Sequence, residues 1–428
     1  MNFLRLKFFH FSLFSIASVL EKSSNYIVMM ILTFFLSSSE VGAISLYQTT
    51  LYLIIPALSL GLWSYLDIQY IQKGEQFFSN YFIVVYRIII ILLLILTITF
   101  ILLSNNLSNY YNIDYTYILF IPLIAFFNTN FMLLQSFLAI SIKPGLYLFN
   151  SAIKVITLFL TAITFVIFLD GGINGRLKSI ITTEIITFII AIYYFFKFNF
   201  FIHIDNTYES KDVLKFGIAT MPHLVAQVLI GFSDRLFISY YQSNSQVGVY
   251  DIAYRISMIV IIGAQIFLTV WRPYLYKNLR SIKKPQSQKI LVVGTYCFIL
   301  VLIGISLLII TASPLLYANF IGKDFIVGID YIPLLTLGNF FYGIYLTILG
   351  FLFYRKEINK ILMISSIGVL VNLLLNYFFV PVLGTIGAVY STIISNLLLL
   401  IFVIIGFKSV IKTKLPWFDF KNLLLISK

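Results

Sequence analysis

The chain alternates, almost from end to end, between apolar runs of about twenty residues and short polar gaps. Ile89 to Leu103 (IIILLLILTITFILL) and Leu397 to Ile405 (LLLLIFVII) lie within two such runs. A helix rises about 1.5 Å per residue, so a run of that length matches the hydrocarbon thickness of a bilayer. No water reaches the hydrocarbon, and each run must satisfy its own backbone, which makes it a helix. The pattern predicts an all-α polytopic membrane protein with about twelve transmembrane helices. They cover 12–36, 41–66, 81–104, 115–140, 146–169, 178–201, 213–239, 247–272, 289–312, 327–352, 359–381 and 386–408. An even number leaves both termini on one side.

Charge decides which side. Of the 29 Lys and Arg, twenty-three fall on the N-terminal side, in the gaps or toward the helix ends beside them. They run from Arg5 and Lys7 through Lys73, Arg87, Lys143 and Lys154 to the tail lysines Lys408, Lys412, Lys414, Lys421 and Lys428. Arg176, Lys178 and Lys323 fall on the opposite side, and Lys22, Arg235 and Arg255 lie within helices. By the positive-inside rule, both termini are expected in the cytoplasm. The formal net charge of +13 sits in these short gaps rather than on one basic face, so no nucleic-acid partner is expected. With 60% hydrophobic and 11% charged residues the chain is no ordinary soluble domain. Its one cysteine, Cys297, lies in an apolar run, which rules out a disulfide, a zinc site or a thiol pair. Met1 to Leu20 lacks a small-x-small cleavage site and reads as part of an uncleaved first helix.

Two gaps repeat one pattern. Ser37-Ser38-Ser39-Glu40-Val41-Gly42 precedes the second predicted helix, and Ser243-Asn244-Ser245-Gln246-Val247-Gly248 precedes the eighth. The copies stand 206 residues and six helices apart, so the halves share one orientation. That is a parallel repeat about an axis along the membrane normal, and it divides the chain into 1–205 and 206–428. The plainer reading is two similar tight turns, since turns favour glycine and small polar residues.

Three stretches carry a family resemblance. Phe35 to Leu66 (FLSSSEVGAISLYQTTLYLIIPALSLGLWSYL) resembles the first hairpin of polysaccharide flippases. Those proteins are the O-antigen and capsular-unit translocases of the multidrug/oligosaccharidyl-lipid/polysaccharide exporter superfamily. Leu214 to Ile256 is similar to their second-half hallmark, with Lys215-Phe216-Gly217, Met221-Pro222, Ser233-Asp234-Arg235 and Val247-Gly248-Val249-Tyr250. Val371 to Ser395, with Asn372, Asn376, Pro381, Gly384, Gly387 and Ala388, resembles their eleventh–twelfth hairpin. The resemblance implies two six-helix bundles around a central cavity that opens alternately to each side. It also implies a cargo of oligosaccharide on a polyprenyl diphosphate, bound for O-antigen or capsule, with polymerase and chain-length machinery as further partners.

Charges inside the hydrocarbon cost about 2.5–3.5 kcal/mol each on insertion scales, so they tend to face a cavity. Lys22, Arg235 and Arg255 are the candidate ligands for phosphate or anionic sugar, because guanidinium and ammonium groups suit such anions. Each has a plainer reading. Lys22 could pair with another helix, Arg235 could snorkel to headgroups, and Arg255 could pair with Asp251 four residues away on the same face. Asp234 and Asp251 flank the turn at Ser243, and with Arg255 they form either a lock or a gate. Glu21 adjoins Lys22 but points elsewhere on the helix. His223, Gln227 and Asp234 make a stripe able to bond sugar hydroxyls or neighbouring helices. Glu184 is a candidate for ion coupling. Pro222 is expected to bend its helix.

These features favour a flippase, which moves its cargo without changing it and needs no catalytic residue, metal or cofactor. Coupling to a proton or sodium gradient is left open. The first rival is an ion-coupled multidrug exporter, whose cationic cargo suits an acidic cavity better than a basic one. The second is a membrane polysaccharide polymerase or ligase. The longest outward gap, near Thr311 to Gly328, has only Lys323 and Asp324 as charges and offers little for catalysis.

Overall fold

The computed structural model describes residues 2–74, 78–202 and 210–410, and among these there is no strand. The first part of the chain forms α1 (Asn2–Leu32), α2 (Ser38–Ser59), α3 (Leu62–Lys73), α4 (Phe78–Tyr111) and a short α5 (Tyr115–Leu119). There follow α6 (Ile121–Ile140), α7 (Pro144–Ala162) with a π-helical extension Ile163–Phe168, and α8 (Gly172–Lys197). The second part forms α9 (Ser210–Tyr241), α10 (Asn244–Ser257), α11 (Ile259–Arg280) and α12 (Pro285–Phe320). A 3₁₀ segment, Lys323–Tyr331, leads into α13 (Ile332–Tyr354), then α14 (Ile358–Leu383) and α15 (Thr385–Val410).

Eleven stretches among the described residues are long and apolar enough to cross a membrane. The remaining expected span corresponds to α1, which has the length, at 31 residues. Its middle, Glu21-Lys22-Ser23-Ser24-Asn25, is polar, and that run lowers its hydropathy. The tail lysines Lys412, Lys414, Lys421 and Lys428 lie outside the described residues.

By their contacts the helices group into two compact units, Met1–Ser239 with Ser243–Gly248, and Tyr240–Gln242 with Val249–Lys428. The expected boundary between 205 and 206 lies outside the described residues. The helix α9, which the sequence reading gives to the second half, groups with the first unit up to Ser239. In the first unit α1 lies along α7, α8 packs on both α6 and α7, and α2 packs on α6. In the second, α15 packs on α13 and α14, and α11 packs on α12 and α13. Asn339 donates to Ser257 at 2.8 Å, Asn372 to Ser395 at 3.2 Å and Asn396 to the Gly338 carbonyl at 3.1 Å. These bonds place polar groups between helices, where hydrocarbon cannot strand them.

The expected span 41–66 is interrupted. Leu60 and Gly61 both take left-handed backbone angles, with φ of 47° and 66°, and separate α2 from α3. Thr220 of α9 donates its hydroxyl to the freed Leu60 carbonyl at 2.9 Å. A Cβ at Gly61 would lie 2.8 Å from Leu224, so position and backbone angle both select glycine there. α9 itself runs as one helix through Pro222.

The two copies of the repeated motif are built alike and touch. Ser37 caps α2 by accepting from the Glu40 amide at 3.3 Å, and Ser243 accepts from the Gln246 amide at 3.3 Å. In the first copy the Glu40 carboxylate also accepts from the Ser37 amide, which completes a capping box. A Cβ on Gly42 would lie 1.7 Å from the Asn244 carbonyl oxygen, and one on Gly248 would lie 2.0 Å from the Ser38 carbonyl oxygen. The contact is reciprocal: each glycine meets the copy of the residue that its counterpart meets. Ser38 and Ser245 add a hydroxyl–hydroxyl bond of 2.6 Å.

Only hydrogen fits at this crossing. Gly42→Ala and Gly248→Ala are each expected to force backbone apart and to cost about 1–3 kcal/mol, as overpacking does. Gly304, in the middle of α12, is the control, because a Cβ added there would meet nothing within 4 Å. Gly304→Ala is expected to stabilise by about 0.5–1 kcal/mol. Thermal unfolding of the three detergent-solubilised variants checks the contrast, and equal melting would refute it.

Candidate functional site

A partly buried charge cluster joins three helices of the first unit. Lys154 is ten residues into α7, about 15 Å from its start. Its ammonium is 3.2 Å from the Glu184 carboxylate of α8 and 3.9 Å from the Glu21 carboxylate of α1. It also lies 4.6 Å from the centre of the Phe131 ring of α6. Polar side chains complete both carboxylates. Asn128 of α6 donates to Glu184 at 3.1 Å, and Thr187 donates to it at 3.4 Å. Ser151 donates to Glu21 at 3.3 Å and accepts from Gln135 at 2.7 Å. Three helices thereby supply the charges and a fourth supplies amides.

A second network continues it along α1. Asn25 is four residues past Glu21 and shares its helix face. Its carbonyl oxygen accepts from Arg176 of α8 at 2.6 Å and from Gln48 of α2 at 3.5 Å. Its amide nitrogen donates to the Tyr52 hydroxyl at 3.4 Å. Arg176 is fully buried and also donates to Ser179 at 3.3 Å.

These networks correct the charge count taken from the sequence. That count puts Lys154 in a gap on the N-terminal side and Arg176 in a gap on the other side. Arg176 is instead fully buried, and Lys154 is half-buried between helices. Each has a partner that makes burial tolerable, which a count of gap charges does not consider. The sequence does hold two signals of this arrangement. Residue 154 is eight positions into the predicted span 146–169, and the spacing of Glu21 and Asn25 marks one polar face in the middle of α1.

The other expected residues fall in several places. Lys22, one position around α1 from Glu21, has an exposed side chain. Glu21 turns to Lys154, in keeping with the expectation that adjacent residues diverge on a helix. Arg235 is 1% exposed, donates to the Gly231 carbonyl at 2.8 Å and lies 4.8 Å from the centre of the Phe232 ring. Asp234 beside it is also buried. In the second unit Arg255 is buried and its Nε donates to Asp251 at 2.5 Å, within α10. That pair is the i, i+4 arrangement anticipated for these two residues. On α9 the Gln227 amide meets the His223 ring at 3.1 Å, so these members of the stripe bond each other. No group of three or more His, Cys, Asp or Glu among the described residues could hold a metal ion.

The chain resembles known transport proteins along most of its length. A family model described as polysaccharide biosynthesis protein matches residues 11–279, and the MatE model matches residues 220–378. Among curated proteins none matches. An inward-facing multidrug resistance MATE family transporter of the MOP superfamily superposes with a TM-score of 0.72 at 13% identity, covering 92% of this chain and 96% of that one. The lipid II flippase MurJ, in an inward closed conformation, superposes with a TM-score of 0.71 at 19% identity, covering 96% and 89%. The MATE multidrug transporter DinF-BH gives 0.68 at 15% identity, covering 94% and 96%. At these identities the likeness is one of fold.

Lys154→Met would leave the buried Glu184 and the half-buried Glu21 without their common cation. Breaking a buried ion pair from one side costs about 3–5 kcal/mol. The variant is expected to melt well below the wild type in detergent. Adding Glu21→Gln and Glu184→Gln is expected to recover most of the loss. Wild-type melting of Lys154→Met would show that this cluster does not hold the helices.

Proposed function

We propose that this chain, which belongs to the polysaccharide biosynthesis protein family, flips a polyprenyl-diphosphate-linked oligosaccharide from the cytoplasmic to the outer leaflet. The family match over residues 11–279 carries this reading, because it spans more than half of the chain and the family is one of polysaccharide biosynthesis. The chain is a multi-pass membrane transporter of the MOP superfamily. The finer reading adds the cargo and its direction, toward O-antigen or capsule assembly at a bacterial plasma membrane. Both termini are then cytoplasmic, and polysaccharide polymerase and chain-length proteins are downstream partners.

The cargo presents a diphosphate and sugar hydroxyls, and it keeps its polyprenyl tail in lipid. Lys22 is the cation most suited to meet that headgroup, since its side chain is exposed beside the polar middle of α1. Arg255 serves through Asp251, as a positioning residue that stiffens α10. Arg235 acts in the same way on α9, where it braces the helix against its own Gly231 carbonyl. His223 and Gln227 offer hydrogen-bonding groups to hydroxyls. Alternating access then needs no bond to be made or broken in the cargo, and catalytic groups have no part in it. A proton or sodium gradient would bias the cycle.

Two observations favour a second reading, an ion-coupled multidrug exporter. The MatE model matches residues 220–378, and multidrug transporters share the fold. Under that reading the carboxylates Glu21 and Glu184 serve ion coupling. Lys154 between them weakens this reading, because it already supplies their positive partner.

The test is translocation in proteoliposomes of a fluorescent polyprenyl-diphosphate oligosaccharide, read by a membrane-impermeant quencher. The wild type is expected to expose the label, and Lys22→Ala is expected to slow this at least tenfold with equal protein inserted. Export of a fluorescent organic cation down an imposed ion gradient, with no movement of the lipid-linked sugar, would establish the second reading instead.

A further inference from the structure

One end of the first unit is an aromatic cluster rimmed by cations. α3, α6 and α8 finish at this end and α4 begins there. The turn after α8 folds back so that Phe200 meets Phe82, Phe137 and Phe195 at centroid separations of 4.8, 4.7 and 5.3 Å. Basic side chains lie on the outer rings. Lys143 is 4.0 Å from the Phe198 ring centre, Lys73 is 4.9 Å from that of Tyr81, and Lys197 is 5.7 Å from that of Tyr194. Rings with cations at a helix-bundle end are the signature of a headgroup level, where amphipathic side chains anchor.

Between α4 and this turn lies an open slot of about 430 Å³, lined by Ile83, Tyr86, Arg87, Ile90, Ile91 and Phe201. Its walls are apolar apart from Arg87. Arg87 stands nine residues into α4, within the apolar face of that helix. Its side chain is exposed. An apolar trough with an exposed arginine among its lining residues complements an amphiphile with an anionic head and hydrocarbon chains. The guanidinium fork donates paired hydrogen bonds to phosphate oxygens.

We propose that this slot is a binding site for an anionic membrane phospholipid, with an acyl chain against Ile83, Ile90 and Phe201 and the phosphate on Arg87. The site is independent of the transported cargo. It makes the first unit sensitive to the lipid that surrounds it, through α4 and the turn that closes α8.

Full-length protein in detergent micelles doped with dioleoyl phosphatidylglycerol or dioleoyl phosphatidylcholine provides the test, with bound lipid counted by native mass spectrometry. The two probes share chains and differ in headgroup charge. The wild type is expected to retain phosphatidylglycerol about fivefold more strongly, the effect of roughly one basic contact near a membrane surface. Arg87→Gln is expected to bring the ratio near one, and Arg87→Lys is expected to keep most of it, which also guards against misfolding of the Gln variant. Ile90→Trp, which fills the trough, is expected to weaken both lipids. Lys178→Gln, at the opposite end of α8, is expected to change nothing. Equal retention of the two lipids by the wild type, or an undiminished preference in Arg87→Gln, would overturn the proposal. So would an Arg87-dependent preference for undecaprenyl phosphate over phosphatidylglycerol, since the slot would then serve the carrier lipid.

Discussion

The first unit depends on how it keeps one ammonium group out of water. Lys154 sits deep in α7, and hydrocarbon would not tolerate it alone. Glu184 and Glu21 make the position tenable, and they come from two other helices. Desolvating three charges together is costly, so the geometry must be met closely before the arrangement gains anything. α1, α7 and α8 are therefore held in register by electrostatics as well as by packing. The amides of Asn128 and Gln135 extend that demand to α6, one through Glu184 and the other through Ser151.

The second unit handles its buried charge differently. Asp251 and Arg255 neutralise each other within a single helix, and Ser, Thr and Asn side chains make the bonds between helices. The Asp251–Arg255 pair lies four residues apart on one face of α10. The cluster in the first unit imposes a register on three helices at once. Between its helices the second unit uses neutral hydrogen bonds such as Asn339 to Ser257 and Asn372 to Ser395.

Much of this architecture is legible in the sequence, and the reason is solvent. Hydrocarbon forces helices and enforces their length, so the apolar runs locate nearly every span. The Asp251–Arg255 pair is legible because both partners are local, four residues apart on one face. The break at Leu60 and Gly61 is hidden, because a left-handed turn within an apolar run leaves the hydropathy unchanged, and the group that satisfies it, Thr220, is 160 residues away. Lys154 and Arg176 are misplaced by a charge count for a related reason. A charge near the end of an apolar run reads as a gap residue until its partner is known, and Glu21, Glu184 and Asn25 all lie on other runs or far along the chain. The slot beside Arg87 depends on the fold-back of Phe200 and Phe201, for which no local pattern exists.

The meeting of the two serine-capped motifs has a mechanical consequence. Because Gly42 faces Asn244 while Gly248 faces Ser38, the two close approaches are copies of one event about a local dyad. Sliding either strand of this crossing lengthens both approaches in step, so neither can be surrendered while its twin is kept. The two glycines are thus one constraint written twice, and a change at either is felt at both.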